Sequence, residues 1–157
     1  MDQLFERIAQ LRAHGEEAVL VTVVEREGSV PGALGAKMLV TADGHTLGTV
    51  GGGELEYQAT AQALQVLQQR QSKLVRYSLM EGGKASNAEP LGAVCGGQAA
   101  LFFDYLGYAA HICILGAGHV GRAIARHLKD MRLFVTIVII APRWARVSKA
   151  PIASSSE

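Results

Sequence analysis

Apolar residues recur at helical spacing at Leu4, Phe5, Ile8 and Leu11, and Asp2 stands where a helix start favours a capping side chain. Gly15 follows at the position where helices commonly end in a left-handed residue, so the pattern predicts a helix ending just before it. The pattern then changes. Ala18 to Glu25 is a continuous apolar and β-branched run, which suits a central strand covered on both faces. A second strand is expected around Ala36 to Thr41, with Asp43-Gly44 as a hairpin turn into His45 to Val50. From Glu54 to about Arg70, Leu55, Ala59, Ala63 and Val66 return to helical spacing. Lys73 to Leu79 reads as a strand and Gln98 to Tyr105 as another; the polar stretch Glu81 to Pro90 between them has the composition of a lid loop. Residues 1–106 are thus expected to form a small α/β domain built on a mixed sheet.

A second pattern begins after it. Ala110 to Leu115 is an apolar strand, Gly116 to Gly121 a glycine-rich turn, Val120 to about Met131 an amphipathic helix and Leu133 to Ile140 another strand. This is the opening β-α-β of a Rossmann-type dinucleotide domain, over residues 110–140. Residues 141–157 bring two prolines, three basic residues and Ser154-Ser155-Ser156 in place of further β-α units, so an irregular tail is expected and the Rossmann segment reads as incomplete.

Composition narrows the class of function more than the fold. Of 157 residues, 49% are hydrophobic and 18% charged, which suits a globular chain, and the net charge of +1 argues against nucleic acid or a membrane surface as partner. With no long apolar span and no leader-like start, a cytoplasmic location is expected. Cys95 and Cys113 sit in unlike contexts and suggest no disulfide framework; Cys113, inside an apolar strand, is expected to be buried and inert.

Chemistry concentrates in three glycine-rich loops. Gly51, Gly52 and Gly53 join a β-rich segment to a helix, where their N–H groups could face an anion or merely allow tight packing. Glu54 and Glu56 in the first helical turn oppose a phosphate there and could instead accept hydrogen bonds from ligand N–H groups. Cys95, followed by Gly96 and Gly97, could bind a soft metal as a thiolate or lie buried as an inert thiol. Arg26 reads either as an anion contact or as one half of a surface ion pair, and Ser29 belongs to the loop Gly28-Ser29-Val30-Pro31-Gly32 beside it. Gly116, Gly118 and Gly121 form a dinucleotide-like loop, but the strand after it, Val135 to Ile140, ends without the acidic residue that would hold a ribose, so NAD(P) binding is not expected. No serine-histidine-acid set and no Walker lysine can be assembled.

Taken in order, Gly28-Ser29-Val30-Pro31, Gly35-Ala36-Lys37-Met38, Gly48 with Gly51-Gly52-Gly53-Glu54-Leu55-Glu56, and Cys95-Gly96-Gly97, followed by a Rossmann start, resemble the XdhC/CoxI family over about residues 1–138. The resemblance implies a non-catalytic accessory protein that binds the molybdenum cofactor, protects it during sulfuration and delivers it to a molybdenum hydroxylase such as xanthine dehydrogenase. It also implies an apo-enzyme partner and a cysteine desulfurase. The implied cofactor contacts are Arg26, Ser29, Gly51, Gly52, Gly53, Glu54, Cys95, Gly96 and Gly97, with Cys95 as metal ligand. Two departures stand out: Gly32 replaces a basic residue, and Ile139 stands near the place of an aspartate. With the incomplete Rossmann pattern they suggest a C-terminal truncation, whose uncovered strand at Leu133 to Ile140 would favour a homo-oligomer. An NAD(P)-dependent oxidoreductase and a functionless remnant are the alternatives.

Overall fold

The computed structural model describes residues 2–78, 97–139 and the backbone of 89–90. Eleven elements follow one another among them: α1 (Asp2–His14), β1 (Ala18–Gly28), β2 (Lys37–Thr41), β3 (Thr46–Gly48), α2 (Gly53–Gln69), β4 (Lys73–Ser78), β5 (Glu89–Pro90), β6 (Gly97–Leu106), β7 (Ala110–Leu115), α3 (His119–Leu128) and β8 (Leu133–Val138). They separate into two compact units, Met1–Leu11 with Glu17–Leu106, and Arg12–Glu16 with the chain from Gly107 onward.

The first unit is a six-stranded mixed sheet in the order β3-β2-β1-β6-β4-β5. Its neighbours are antiparallel except β4 and β5, which run parallel where Tyr77 meets Glu89. As the unbroken apolar run of β1 implied, that strand is central and has one helix on each face. Val19, Val21 and Val23 point to one side and pack with Leu55, Ala59, Ala63 and Val66 of α2 and with Leu101 and Phe103 of β6. The two alanines on the buried stripe of α2 carry only a methyl group each, which lets the helix lie close to the sheet. Ala18 and Leu20 point to the other side, towards Leu4, Ile8 and Leu11 of α1. Phe5, expected on that apolar face, is instead half exposed, because Leu4, Ile8 and Leu11 already fill the contact and Phe5 lies one position further round the helix.

β1 runs three residues beyond its expected end because it stays paired with β6 as far as Gly28 and Gly97. A bulge interrupts that ladder: Val23 faces Leu101 and Glu25 faces Ala100, leaving Val24 without a partner across the strands. At the far end of α2, Arg70 adopts a left-handed conformation and donates its N–H to Val66 O. The expected lid at residues 81–90 lies outside the described residues apart from the two-residue strand β5.

The second unit is a right-sized β-α-β: β7 and β8 pair in parallel from Ala110 with Leu133 to Leu115 with Val138, and α3 connects them. Tyr108 donates to Arg12 O at 2.6 Å, and its ring lies 5.3 Å from that of Phe134. Cys113 is exposed rather than buried, since among the described residues this sheet has only two strands and α3 approaches it on the side of Ile114. No described helix is long and apolar enough to cross a membrane.

Candidate functional site

The end of the six-stranded sheet where β1 and β3 finish and β6 begins collects most of the motifs of the first unit. Here the loop after β1 and the loop before α2 touch backbone to backbone. A side chain at Gly51 would start 2.5 Å from the Pro31 carbonyl carbon, and one at Gly32 would run into Val50 O. Both glycines also have positive φ, 134° and 87°. Gly32, where the sequence suggested a missing basic contact, is therefore required by packing in this fold. Gly97 closes the same arrangement from β6: a Cβ there would lie 2.6 Å from both Glu27 O and Val30 Cγ2, and 3.0 Å from Ser29 O. Arg26 donates through Nη2 to Val30 O at 3.0 Å, which ties the strand end to its own loop. Its nearest role is thus to brace the loop that carries Ser29, itself exposed.

The glycine turn is organised by Glu56, which the sequence suggested as an acceptor for ligand N–H groups and which here accepts those of the turn itself. Glu56 Oε1 accepts the N–H of Gly52 at 2.9 Å and that of Val50 at 3.2 Å, together with the hydroxyl of Thr49. Thr49 Oγ1 in turn accepts the N–H of Gly51 at 3.1 Å. The donors at Gly51 and Gly52 that could have faced an anion are therefore engaged within the chain. Leu55 places Glu56: it is buried on the core face of the first turn, so its successor projects beside the loop. The signal was present as Thr49-Val50-Gly51-Gly52-Gly53-Glu54-Leu55-Glu56, a hydroxyl and a carboxylate flanking three glycines, but dipole complementarity explains such a glutamate equally well.

Hydrogen bonding from Thr49, then from the backbone N–H groups of Gly52, Val50 and Gly51, outweighs partial burial and holds the Glu56 carboxyl below its ordinary value of 4.5. A depressed carboxyl contributes stability that is present above the ordinary value and lost as pH falls through the folded one. The unaltered chain should accordingly be more heat-stable than Glu56→Gln at neutral pH, with the gap narrowing as the pH falls below the ordinary carboxyl value. Paired thermal melts check this; a gap that does not change with pH would contradict it.

Glu54 is exposed and accepts from Gln58 Nε2 at 2.8 Å, one turn along α2. Around Arg26, a shallow cavity of 250 Å³ is lined by Glu25, Glu27, Arg76 and Gln98 over Ala99 and Ala100. Arg76 and Glu25 pair across it at 3.4 Å, with both side chains exposed, so the pair adds little stability. Cys95 and Gly96 lie outside the described residues. Among the described residues no group of three or more His, Cys, Asp and Glu could hold a metal ion.

The remaining motif belongs to the second unit. Gly116 donates its N–H to Val138 O at 2.8 Å, Gly118 begins α3, and a side chain at Gly121 would strike Gly116 O. This geometry keeps turn, helix and strand close together. Ile139, past the end of β8, is 52% exposed and apolar where a ribose-binding domain carries an acid.

Residues 11–78 match the sequence profile of the XdhC and CoxI family. This segment belongs to the XdhC and CoxI family. It contains β1, the Pro31 and Gly51 loops and Glu56, that is, the backbone contact and carboxylate just described. The chain is 35% identical over 123 residues, 78% of its length, to the uncharacterized protein YqeB of Escherichia coli K12, covering 22% of that protein. It is also 41% identical over 63 residues, 40% of its length, to the molybdenum cofactor insertion chaperone PaoD of the same organism, covering 20% of it. The chain thus spans about a fifth of the length of the curated relatives it matches. Among solved structures, a xanthine dehydrogenase from Bacillus halodurans superposes with a TM-score of 0.51 at 28% identity, over 64% of this chain and 30% of that one. An XdhC/CoxI segment in a mixed α/β unit, followed by a parallel β-α-β, is the architecture of this protein.

Proposed function

We propose that this chain is part of a non-catalytic accessory protein that holds the molybdenum cofactor as cargo and passes it, after sulfuration, to a molybdenum hydroxylase such as xanthine dehydrogenase. The observation that carries this reading is the meeting of the Ser29, Gly51 and Gly97 loops at one end of the sheet, within and beside the segment matched by the family. Similarity to PaoD, a molybdenum cofactor insertion chaperone, supports the choice of cargo. The backbone at Gly52 and Gly53 has positive φ and open space where side chains would stand, which fits close approach by a flat ligand. Cys95, two residues before Gly97 in the sequence, is the soft ligand for the metal in this reading. The molybdoenzyme would be the partner that receives the cargo, with a cysteine desulfurase supplying sulfur.

The test is cofactor content. The chain, produced in cells that make the molybdenum cofactor, is expected to purify with molybdenum and pterin in equal amounts. Cys95→Ser should lower the molybdenum content by about tenfold or more, the scale for disturbing one metal contact, while the far-ultraviolet circular dichroism stays unchanged. Equal metal content in the two proteins would remove Cys95 from the site, and absence of both metal and pterin from the unaltered chain would remove the function.

A further inference from the structure

We propose that Glu56 determines which end of the cofactor the glycine loop receives: the loop takes a heterocycle edge bearing N–H donors and turns away the phosphate end. This rests on the cofactor reading above and assigns polarity to its binding site. An anion-binding turn needs several converging N–H groups that are free to bond. In this turn the N–H groups of Val50 and Gly52 go to Glu56 Oε1, and that of Gly51 goes to Thr49 Oγ1. A phosphate would have to displace a carboxylate tethered to the first turn of the helix that follows, which competes at high effective concentration. It would also approach a second carboxylate, the exposed Glu54.

What the loop offers is the opposite kind of group. The bonds from Thr49, Val50 and Gly52 all fall on Oε1 of Glu56, and Oε2 takes none of them. Next to it is the exposed backbone of Gly53, with open space where a side chain would begin at Gly52 or Gly53. An acceptor next to bare backbone suits a flat ring that lies against the turn and donates from its edge. The 2-amino-4-oxo pyrimidine edge of a pterin carries such donors, a ring N–H beside an amino group, and the open Oε2 of Glu56 can accept from that edge as a charge-assisted bond. Glu56 thereby acquires a role beyond complementing the helix dipole.

The experiment is amide NMR on the full ¹⁵N-labelled chain, titrated separately with 6-hydroxymethylpterin, which lacks phosphate, and with inorganic phosphate. Pterin is expected to move the Gly52 and Gly53 amides, whereas phosphate at about 10 mM, well above the range of useful affinities, leaves Val50, Gly51 and Gly52 in place. Glu56→Gln retains an acceptor oxygen but loses the charge; its pterin affinity should fall about tenfold, the worth of a charge-assisted hydrogen bond. Phosphate shifting the Val50 to Gly52 amides of the unaltered chain overturns the proposal. So does pterin that binds while leaving Gly52 and Gly53 unmoved, a result under which the cofactor reading survives. Failure of pterin to bind anywhere removes the cofactor reading and this proposal with it. Should Glu56→Gln not fold, the two titrations of the unaltered chain decide the matter.

Discussion

Gly32→Ala is expected to melt roughly 10–20 °C below the unaltered chain, corresponding to a loss of about 3 kcal/mol in a unit of this size. Two costs combine. At φ 87° an alanine is strained by itself, and its methyl group would collide with the Val50 carbonyl oxygen. Neither partner is a flexible side-chain end, so relief requires the Pro31 and Gly51 loops to part. Gly35→Ala separates the two costs, because Gly35 has nearly the same φ, 81°, and nothing within 4 Å of a built Cβ. Thermal denaturation followed by circular dichroism should put Gly35→Ala between the unaltered chain and Gly32→Ala. Equal melting temperatures for the two variants would mean that the loops separate freely and that their contact does not hold the site.

Leu55→Ala should destabilise the first unit by about 2–5 kcal/mol in chemical denaturation, the range for emptying a leucine site in a core. Leu55 is 1% exposed and packs among Val50, Ala59 and the central strands at the first turn of α2. Its loss also frees the helix start, so the bonds that the glycine turn donates to Glu56 should weaken along with the core. Tyr57, two positions on and 70% exposed, is the control: Tyr57→Ala should stay within about 0.5 kcal/mol. A Leu55→Ala loss no larger than that of the control would show the helix start to be held by the turn and not by the core.

How much of this could be read from the chain alone follows from the range of the interactions involved. The helix over Gly53–Gln69 and the pairing of Lys37–Thr41 with Thr46–Gly48 were legible, since they rest on spacing and turn residues a few positions apart. The β-α-β at Ala110–Val138 was legible for the same reason. The exposure of Phe5 was not, because its periodicity is as good as that of Leu4 and only the width of the contact on the sheet separates them. Gly32 looked like a lost basic contact, and its real constraint comes from Val50, eighteen positions away and close only after folding. Glu56 was noticed as a charge at a helix start, yet its partners depend on the turn bending back over it. The strand order, with β6 beside β1 instead of at an edge, likewise arises from pairings nearly eighty residues apart, such as Val23 with Leu101.

The bulge at Val24 makes the site depend on parity. Before it, the odd-numbered residues Val19, Val21 and Val23 face α2; after it, Arg26 stands opposite Ala99 and takes over that side, while Glu25 and Glu27 fall to the other. Counted with Val24 as an ordinary member of the ladder, the alternation would turn the two glutamates toward the core and send the arginine away from the Val30 carbonyl it braces. What matters at position 24 is therefore that its residue stands outside the ladder. One extra residue in the ladder carries the strand from its hydrophobic half to its polar half while the pairing with β6 continues.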